Sequence, residues 1–156
     1  LDGVSLRHAD AVDGLFRRDV FEKVRAMRPG FVRSPGGNYL EGHGPRTRWD
    51  WKATVGPAAA RRGHYNSAWG YWVTDGLGVY ELLRLSELLG CASQLSIYTG
   101  YSMGAAYVPL NRSARFAADA VDLLEFANGD AAATAWGARR AAMGHAAPFG
   151  LRRLEV

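Results

Sequence analysis

Residues 30–42 of this 156-residue chain have the sequence Gly-Phe-Val-Arg-Ser-Pro-Gly-Gly-Asn-Tyr-Leu-Glu-Gly. The apolar residues near the start of this stretch predict a short β-strand over 31–33 that ends on the charged Arg33. The Pro-Gly-Gly-Asn that follows predicts a tight turn, because proline restricts φ and glycine tolerates backbone angles that other residues avoid. Asn38 is therefore expected just above the end of the strand.

Arg33 and Asn38 together offer several hydrogen-bond donors and an acceptor. Such a pair suits recognition of sugar hydroxyls or of a carboxylate. A simpler interpretation stays open on the residues alone: Arg33 pairs with an acid on a neighbouring strand, and the glycines only turn the chain.

On both sides of this stretch, helical patterns alternate with short apolar runs. Helices are predicted at 16–28, 79–89, 114–127 and 133–143, and further strands at 92–98 and 151–156. The apolar face of the first helix would be Phe16, Val20, Val24 and Met27, and that of the third Phe116, Ala120, Leu123, Leu124 and Ala127. Strands alternating with helices predict an α/β fold with a parallel sheet.

The element order fits either an open doubly wound sheet or a (β/α)8 barrel. No Gly-x-Gly-x-x-Gly follows the first strand, so the dinucleotide-binding signature is missing. The long segment 39–78, rich in glycine and tryptophan, follows the carboxyl end of that strand and is predicted to be an irregular functional loop. Trp69 and Trp72 in it are spaced to stack on a sugar face or to pack within the loop.

Composition excludes several classes. Almost half of the chain is apolar and its formal net charge is +4, as expected for a folded domain. No apolar run could span a bilayer, and the scattered arginines form no basic stripe, so neither a membrane nor a nucleic acid is expected as a partner. The four histidines lack metal-ligand spacing and Cys91 has no internal partner, so no metal, cofactor or disulfide is predicted.

The chain resembles the α-L-arabinofuranosidases of glycoside hydrolase family 51. The resemblance rests on Arg33-Ser34-Pro-Gly-Gly-Asn38, on the segments 62–78 and 97–102, and on 136–149, all in the family's order. It implies a partial, unclosed (β/α)8 barrel that contains roughly strands 2 to 4 of the eight with their helices. It also implies that Arg33, Asn38 and Trp69 contact the arabinose. Ser34 departs from the family, where this position is usually aromatic.

What the resemblance implies about function is a retaining exo-acting hydrolase that releases arabinofuranosyl groups from arabinan, arabinoxylan or their oligosaccharides. Its acid/base and nucleophile glutamates would lie beyond Val156, and Glu155 is interpreted as a strand residue four positions before the acid/base. No catalytic residue is therefore assigned here. Residues 1–156 are expected to be the N-terminal part of the catalytic domain, truncated at both ends and inactive alone, with an oligomer possible in the full-length protein.

Two other functions are kept as alternatives. A non-catalytic carbohydrate-binding domain on a degenerate barrel would also use an aromatic-rich loop. A related barrel hydrolase acting on another glycoside would share the strand-end chemistry but should lack the Pro-Gly-Gly-Asn and Trp-Gly-Tyr-Trp stretches together. Glu41, Asp50 and Asp75 on the long loop could also be catalytic, although these acids are expected instead to form loop hydrogen bonds and pairs with Arg46, Arg48 or Lys52.

Overall fold

Strands and helices alternate along the computed structural model, which describes residues 7–156. In chain order they are α1 (Arg18–Ala26), β1 (Phe31–Ser34), α2 (Gly37–Glu41), β2 (His64–Asn66), β3 (Tyr71–Val73), α3 (Val79–Leu89), β4 (Ala92–Ser96), α4 (Ala114–Asn128), α5 (Ala135–Ala142) and β5 (Arg153–Glu155). Single turns of 3-10 helix lie at Trp51–Thr54, Ala58–Ala60 and Leu110–Arg112.

The main sheet has three parallel strands in the order β1-β4-β5. Arg33 lies opposite Gln94, and Ser96 lies opposite Glu155. The predicted α/β class and parallel sheet are confirmed. Over residues 7–156 the sheet is open at both edges and closes into no barrel. Because the strands are parallel, their three carboxyl ends lie at the same end of the sheet, and the segments that follow the strands meet there.

The two faces of this sheet differ in chemistry. Leu95 and Leu154 face the helices and join the core, whereas Arg33, Gln94 and Glu155 alternate onto the opposite face. Ser34, where the resemblance leads us to expect an aromatic residue, is 6% exposed. It follows Arg33 directly in the strand, so its side chain points to the opposite face of the sheet.

The predicted irregular loop at 39–78 is more ordered than expected. It holds the hairpin of β2 and β3, and it contributes Trp49 and Trp51 to the core. The Trp51 indole donates to Asp119 O at 3.2 Å and contacts the rings of Phe126 and Trp136. These indoles hold the segment against α4 and α5, and the absence of periodicity in the sequence concealed this because a few buried side chains suffice to anchor an irregular backbone.

Helix boundaries are predicted best where a capping residue coincides with the end of the apolar spacing. α3 covers 79–89 as predicted, and Gly90 follows it in the left-handed conformation at φ 67°, which glycine adopts without strain. α4 ends one residue later than predicted, at Asn128, and β4 ends at Ser96, two residues early. The predicted turn after β1 is also shorter, because α2 begins at Gly37.

The first helix is the main correction. α1 covers only Arg18–Ala26, and its buried residue is Phe21. Phe16 lies before the helix and forms an isolated antiparallel β-bridge with Val12. Val20 is 50% and Met27 78% exposed, contrary to the predicted apolar face. On α4, Leu124 is likewise 38% exposed while Phe126 is buried. Spacing identified the helices, but the contacts available in the fold selected the face.

A fully buried arginine joins α5 to the end of α4. The Arg140 guanidinium donates to four backbone oxygens, those of Phe126, Gly129, His145 and Ala146, at 2.7–3.0 Å. Burial lowers the pKa of Arg140 from its ordinary value, but carbonyl groups at a helix end favour a cation. No helix within residues 7–156 is long and apolar enough to cross a membrane.

Candidate functional site

Arg33 and Glu155 form a bidentate ion pair near the carboxyl ends of β1 and β5. Arg33 Nε lies 2.5 Å from Glu155 Oε2, and Nη2 lies 2.5 Å from Oε1. Gln94 and Ser96 on the intervening strand donate to the same carboxylate at 3.0 and 3.4 Å. Arg33 therefore pairs with an acid of the same sheet, as in the simpler sequence interpretation, but this acid lies on β5, one strand beyond the neighbouring β4. Glu155 is a strand residue, as predicted.

These contacts fix the charge of the pair. The hydrogen bonds from Arg33, then from Gln94, hold the pKa of Glu155 at about 2, well below its ordinary value of 4.5. The same partner raises the pKa of Arg33. The Arg33 side chain is 42% exposed, so a ligand can still reach it.

We expect the contribution of this pair to stability to depend on pH in acid only. A carboxylate whose pKa falls on folding stabilises the fold above its unfolded pKa, near 4.5, and loses that effect as the pH falls through about 2. In the full-length protein, Glu155→Gln should lower Tm by a constant amount above pH ~5, and the difference should shrink below it. A difference in Tm that stays constant down to pH ~2 would contradict the assigned pair.

Asn38 lies in the first turn of α2, immediately beyond β1, and is exposed. Arg33 Nη2 is 3.9 Å from the position that a Cβ on Gly37 would occupy. The guanidinium therefore lies beside the residue that precedes Asn38. The turn after β1 thus brings Arg33 and Asn38 to the same part of the strand edge, as the sequence predicted.

Trp69 lies in the turn of the β2–β3 hairpin and is 61% exposed. Its backbone N–H donates to the Asn66 side chain at 3.1 Å. Ser67 in the same turn contacts His43: the His43 N–H donates to Ser67 Oγ at 2.9 Å, and Nδ1 lies 2.7 Å from Ser67 O. The hairpin turn is thereby tied to the segment after α2.

The structure does not join all predicted site residues directly. Among residues 7–156, no hydrogen bond or ring contact links Trp69 to Arg33 or Asn38. Trp72 instead packs against Gly63 and lines an apolar groove with Phe16. The two tryptophans therefore have different surroundings, and only Trp69 lies in the hairpin turn.

A histidine–aspartate pair beneath the hairpin escaped the sequence analysis. His64 Nδ1 lies 2.9 Å from Asp75 Oδ1, and Asp75 is 3% exposed. The Tyr39 ring meets His64 edge-on at 5.5 Å. Burial, and then the charge of Asp75, raise the pKa of Tyr39 far above 10. His64 and Asp75 are eleven residues apart in sequence, and the β2–β3 hairpin brings them together. No local sequence motif therefore predicts the pair.

Of the three acids considered on the long segment, Asp50 and Asp75 have structural partners, whereas the Glu41 carboxylate has no hydrogen bond or ion pair within residues 7–156. Asp50 accepts from the Lys52 N–H at 3.2 Å and lies 3.5 Å from Arg48, as expected. Asp75 pairs with His64 and not with an arginine or lysine, which corrects that expectation. Within the described residues, no three His, Cys, Asp or Glu side chains cluster in a way that could hold a metal ion.

Comparison with known proteins now defines the family. The model of the α-L-arabinofuranosidase 1 domain matches residues 23–156. The chain belongs to this family. Within it, the arabinose-bound structure of a family 51 α-L-arabinofuranosidase is 41% identical, with a TM-score of 0.87 over 93% of this chain and 23% of the other. The resemblance to family 51 is thereby confirmed.

Two curated relatives of the chain are also α-L-arabinofuranosidases. α-L-Arabinofuranosidase 2 of Arabidopsis thaliana is 39% identical across 99% of the chain and 23% of its own length. An extracellular exo-α-L-arabinofuranosidase of Streptomyces chartreusis is 40% identical across the whole chain and 21% of its own length. The chain thus spans less than a quarter of the length of these two curated relatives.

Proposed function

We propose that the full-length protein containing this chain is a retaining, exo-acting α-L-arabinofuranosidase. It would release terminal arabinofuranosyl groups from arabinan, arabinoxylan or their oligosaccharides. The observation that carries the proposal is the exposed Arg33–Asn38 strand end, in a chain that follows an arabinose-bound relative with a TM-score of 0.87.

In this proposal, Arg33 and Asn38 bind hydroxyls of the arabinofuranosyl ring. The Arg33–Glu155 pair supports that role, because two charge-assisted contacts hold the guanidinium in one orientation and leave its exposed side to the sugar. Trp69 would stack against an apolar face of the substrate, which its exposure at the hairpin turn permits.

The proposed domain is a (β/α)8 barrel of which residues 1–156 are the N-terminal part. β1, β4 and β5 would be its second, third and fourth strands. The open edges of the parallel sheet, and a chain that covers 23% of its relatives, support this assignment. Retaining hydrolysis needs two carboxylates roughly 5 Å apart, and we assign both to residues beyond Val156.

Hydrolysis of an aryl α-L-arabinofuranoside tests the proposal. The full-length protein is expected to hydrolyse it with retention of anomeric configuration, and residues 1–156 alone are expected to be inactive because they lack both carboxylates. A folded full-length protein that binds arabinose-bearing polymers without hydrolysing this compound would be a carbohydrate-binding protein. Turnover by residues 1–156 alone would place the catalytic carboxylates within them.

A further inference from the structure

A basic cleft lies beside the proposed arabinose site. It has a volume of about 830 Å³ and is formed by the segment after α2 and the segment between β4 and α4. Both segments follow carboxyl ends of parallel strands, so the cleft opens at the same edge of the sheet as Arg33. Its polar lining includes His43, Arg46, Arg112 and Arg115, and no aspartate or glutamate.

The three arginines of the cleft have no carboxylate partner within residues 7–156. By contrast, Arg48, two residues after Arg46 and outside the cleft, lies 3.5 Å from Asp50. The Arg115 guanidinium lies over the Phe116 ring, 4.5 Å from its centroid, and this contact orients the group without an acidic partner. Exposed arginines that converge on one cleft without an acid create a local positive potential that attracts anions.

The position of two of these arginines increases that potential. Arg112 and Arg115 flank the beginning of the 15-residue helix α4, whose first turn contains no acidic residue. A helix N-terminus carries a partial positive charge and normally favours aspartate or glutamate. Two cations at this position are slightly unfavourable for the helix, and they add to the positive potential of the cleft.

His43 lines the cleft and also contacts the hairpin turn that carries Trp69. Its ring Nδ1 donates to Ser67 O, which as a carbonyl can only accept. Ser67 is two residues before Trp69. A polysaccharide whose terminal arabinose contacts Trp69 would therefore have its neighbouring units close to the cleft.

We propose that this cleft binds the carboxylates of uronic-acid units in arabinose-bearing polysaccharides. The inference rests on the proposed function and specifies its substrate class. Arginine forks match carboxylates in a bidentate geometry, and the 72% exposed ring of Tyr107 at the cleft offers a stacking surface for a sugar. A nucleic acid is disfavoured because single-strand binding uses successive aromatic rings along a basic groove, and Tyr107 is the one Phe, Tyr or Trp residue in the lining of the cleft.

The test uses the full-length protein and glucuronoarabinoxylan, either native or with its carboxyl groups reduced to alcohols. The wild-type protein is expected to prefer the native polymer. The triple variant Arg46→Gln, Arg112→Gln, Arg115→Gln is expected to lower kcat/KM on the native polymer by about tenfold, mostly through KM, because solvent weakens each exposed pair. Its activity on the reduced polymer and on a neutral aryl arabinofuranoside should not change.

A matched control removes the same charge elsewhere. Lys23, Arg28 and Arg152 are exposed, lie outside the cleft and have no carboxylate partner among residues 7–156. The triple change of these three to glutamine should leave the preference for the native polymer intact. Adding salt to about 0.5 M should abolish the preference of the wild-type protein, since screening acts over a few ångströms at that concentration.

Three outcomes overturn the inference. In the first, the wild-type protein hydrolyses the native and reduced polymers equally. In the second, both triple variants lose the preference to the same extent, so that net charge and not the cleft is responsible. In the third, the cleft variant loses binding to single-stranded RNA but not to the acidic polymer. If the protein hydrolyses no arabinofuranoside, only the proposed function fails, because affinity electrophoresis in the two polymers still measures carboxylate binding by the cleft.

Discussion

Replacing Arg33 with alanine in the full-length protein is expected to lower kcat/KM for an aryl α-L-arabinofuranoside by about 100-fold. A hydrogen bond from a charged group is worth roughly 1.5–3 kcal/mol, and the change also leaves the Glu155 carboxylate unpaired beside the sugar. Arg33→Lys keeps the charge but cannot form the bidentate contact, so it should recover only part of the activity.

The companion change Asn38→Ala removes a neutral donor and acceptor, and a smaller loss of about tenfold is expected. Arg152→Ala is the matched control, because Arg152 is exposed and has no carboxylate partner in the described part of the chain. Steady-state kinetics and a melting curve are recorded for every variant. If Arg33→Ala lowers Tm while kcat/KM is unchanged, Arg33 only joins two strands and has no role in sugar binding.

Removing Glu81 should cause the largest loss of stability. The Arg61 and Glu81 side chains are 2% and 4% exposed and lie 2.8 Å apart. Arg61 also donates to Gly56 O and Asp75 O, while Glu81 accepts from the Gly78 N–H at the start of α3. This network holds both ends of the segment that carries the hairpin against α3.

Glu81→Ala leaves a buried guanidinium without its carboxylate, and breaking such a pair costs about 3–5 kcal/mol. The effect is measured as the shift in the urea midpoint of the full-length protein. The exposed pair Glu22–Arg25 on α1 supplies the control, since Glu22→Ala should cost less than about 0.5 kcal/mol.

A double change distinguishes the ion pair from simple loss of packing. Arg61→Met with Glu81→Met replaces both charges by apolar side chains, and such replacements are often close to neutral. The double variant should therefore be more stable than Glu81→Ala. Equal destabilisation of the two would mean that the hydrogen bonds to Gly56, Gly78 and Asp75, and not the uncompensated charge, account for the loss.

The sequence predicted those parts of the fold whose causes are local. Apolar residues at helical spacing and a glycine able to adopt positive φ determined α3 to the residue. The turn after β1 likewise brought Asn38 close to Arg33, because both follow from a few neighbouring residues. The order of strands and helices was enough to predict a parallel sheet.

Contacts between distant residues could be decided only by the tertiary structure. Arg33 and Glu155 are 122 residues apart, and the sequence offered several acids as partners for each arginine. The buried face of α1, the His64–Asp75 pair and the convergence of Arg46, Arg112 and Arg115 on one cleft have the same origin. Local propensity specifies which element a segment forms, but the partner of a side chain depends on which elements the folded chain brings within a few ångströms of it.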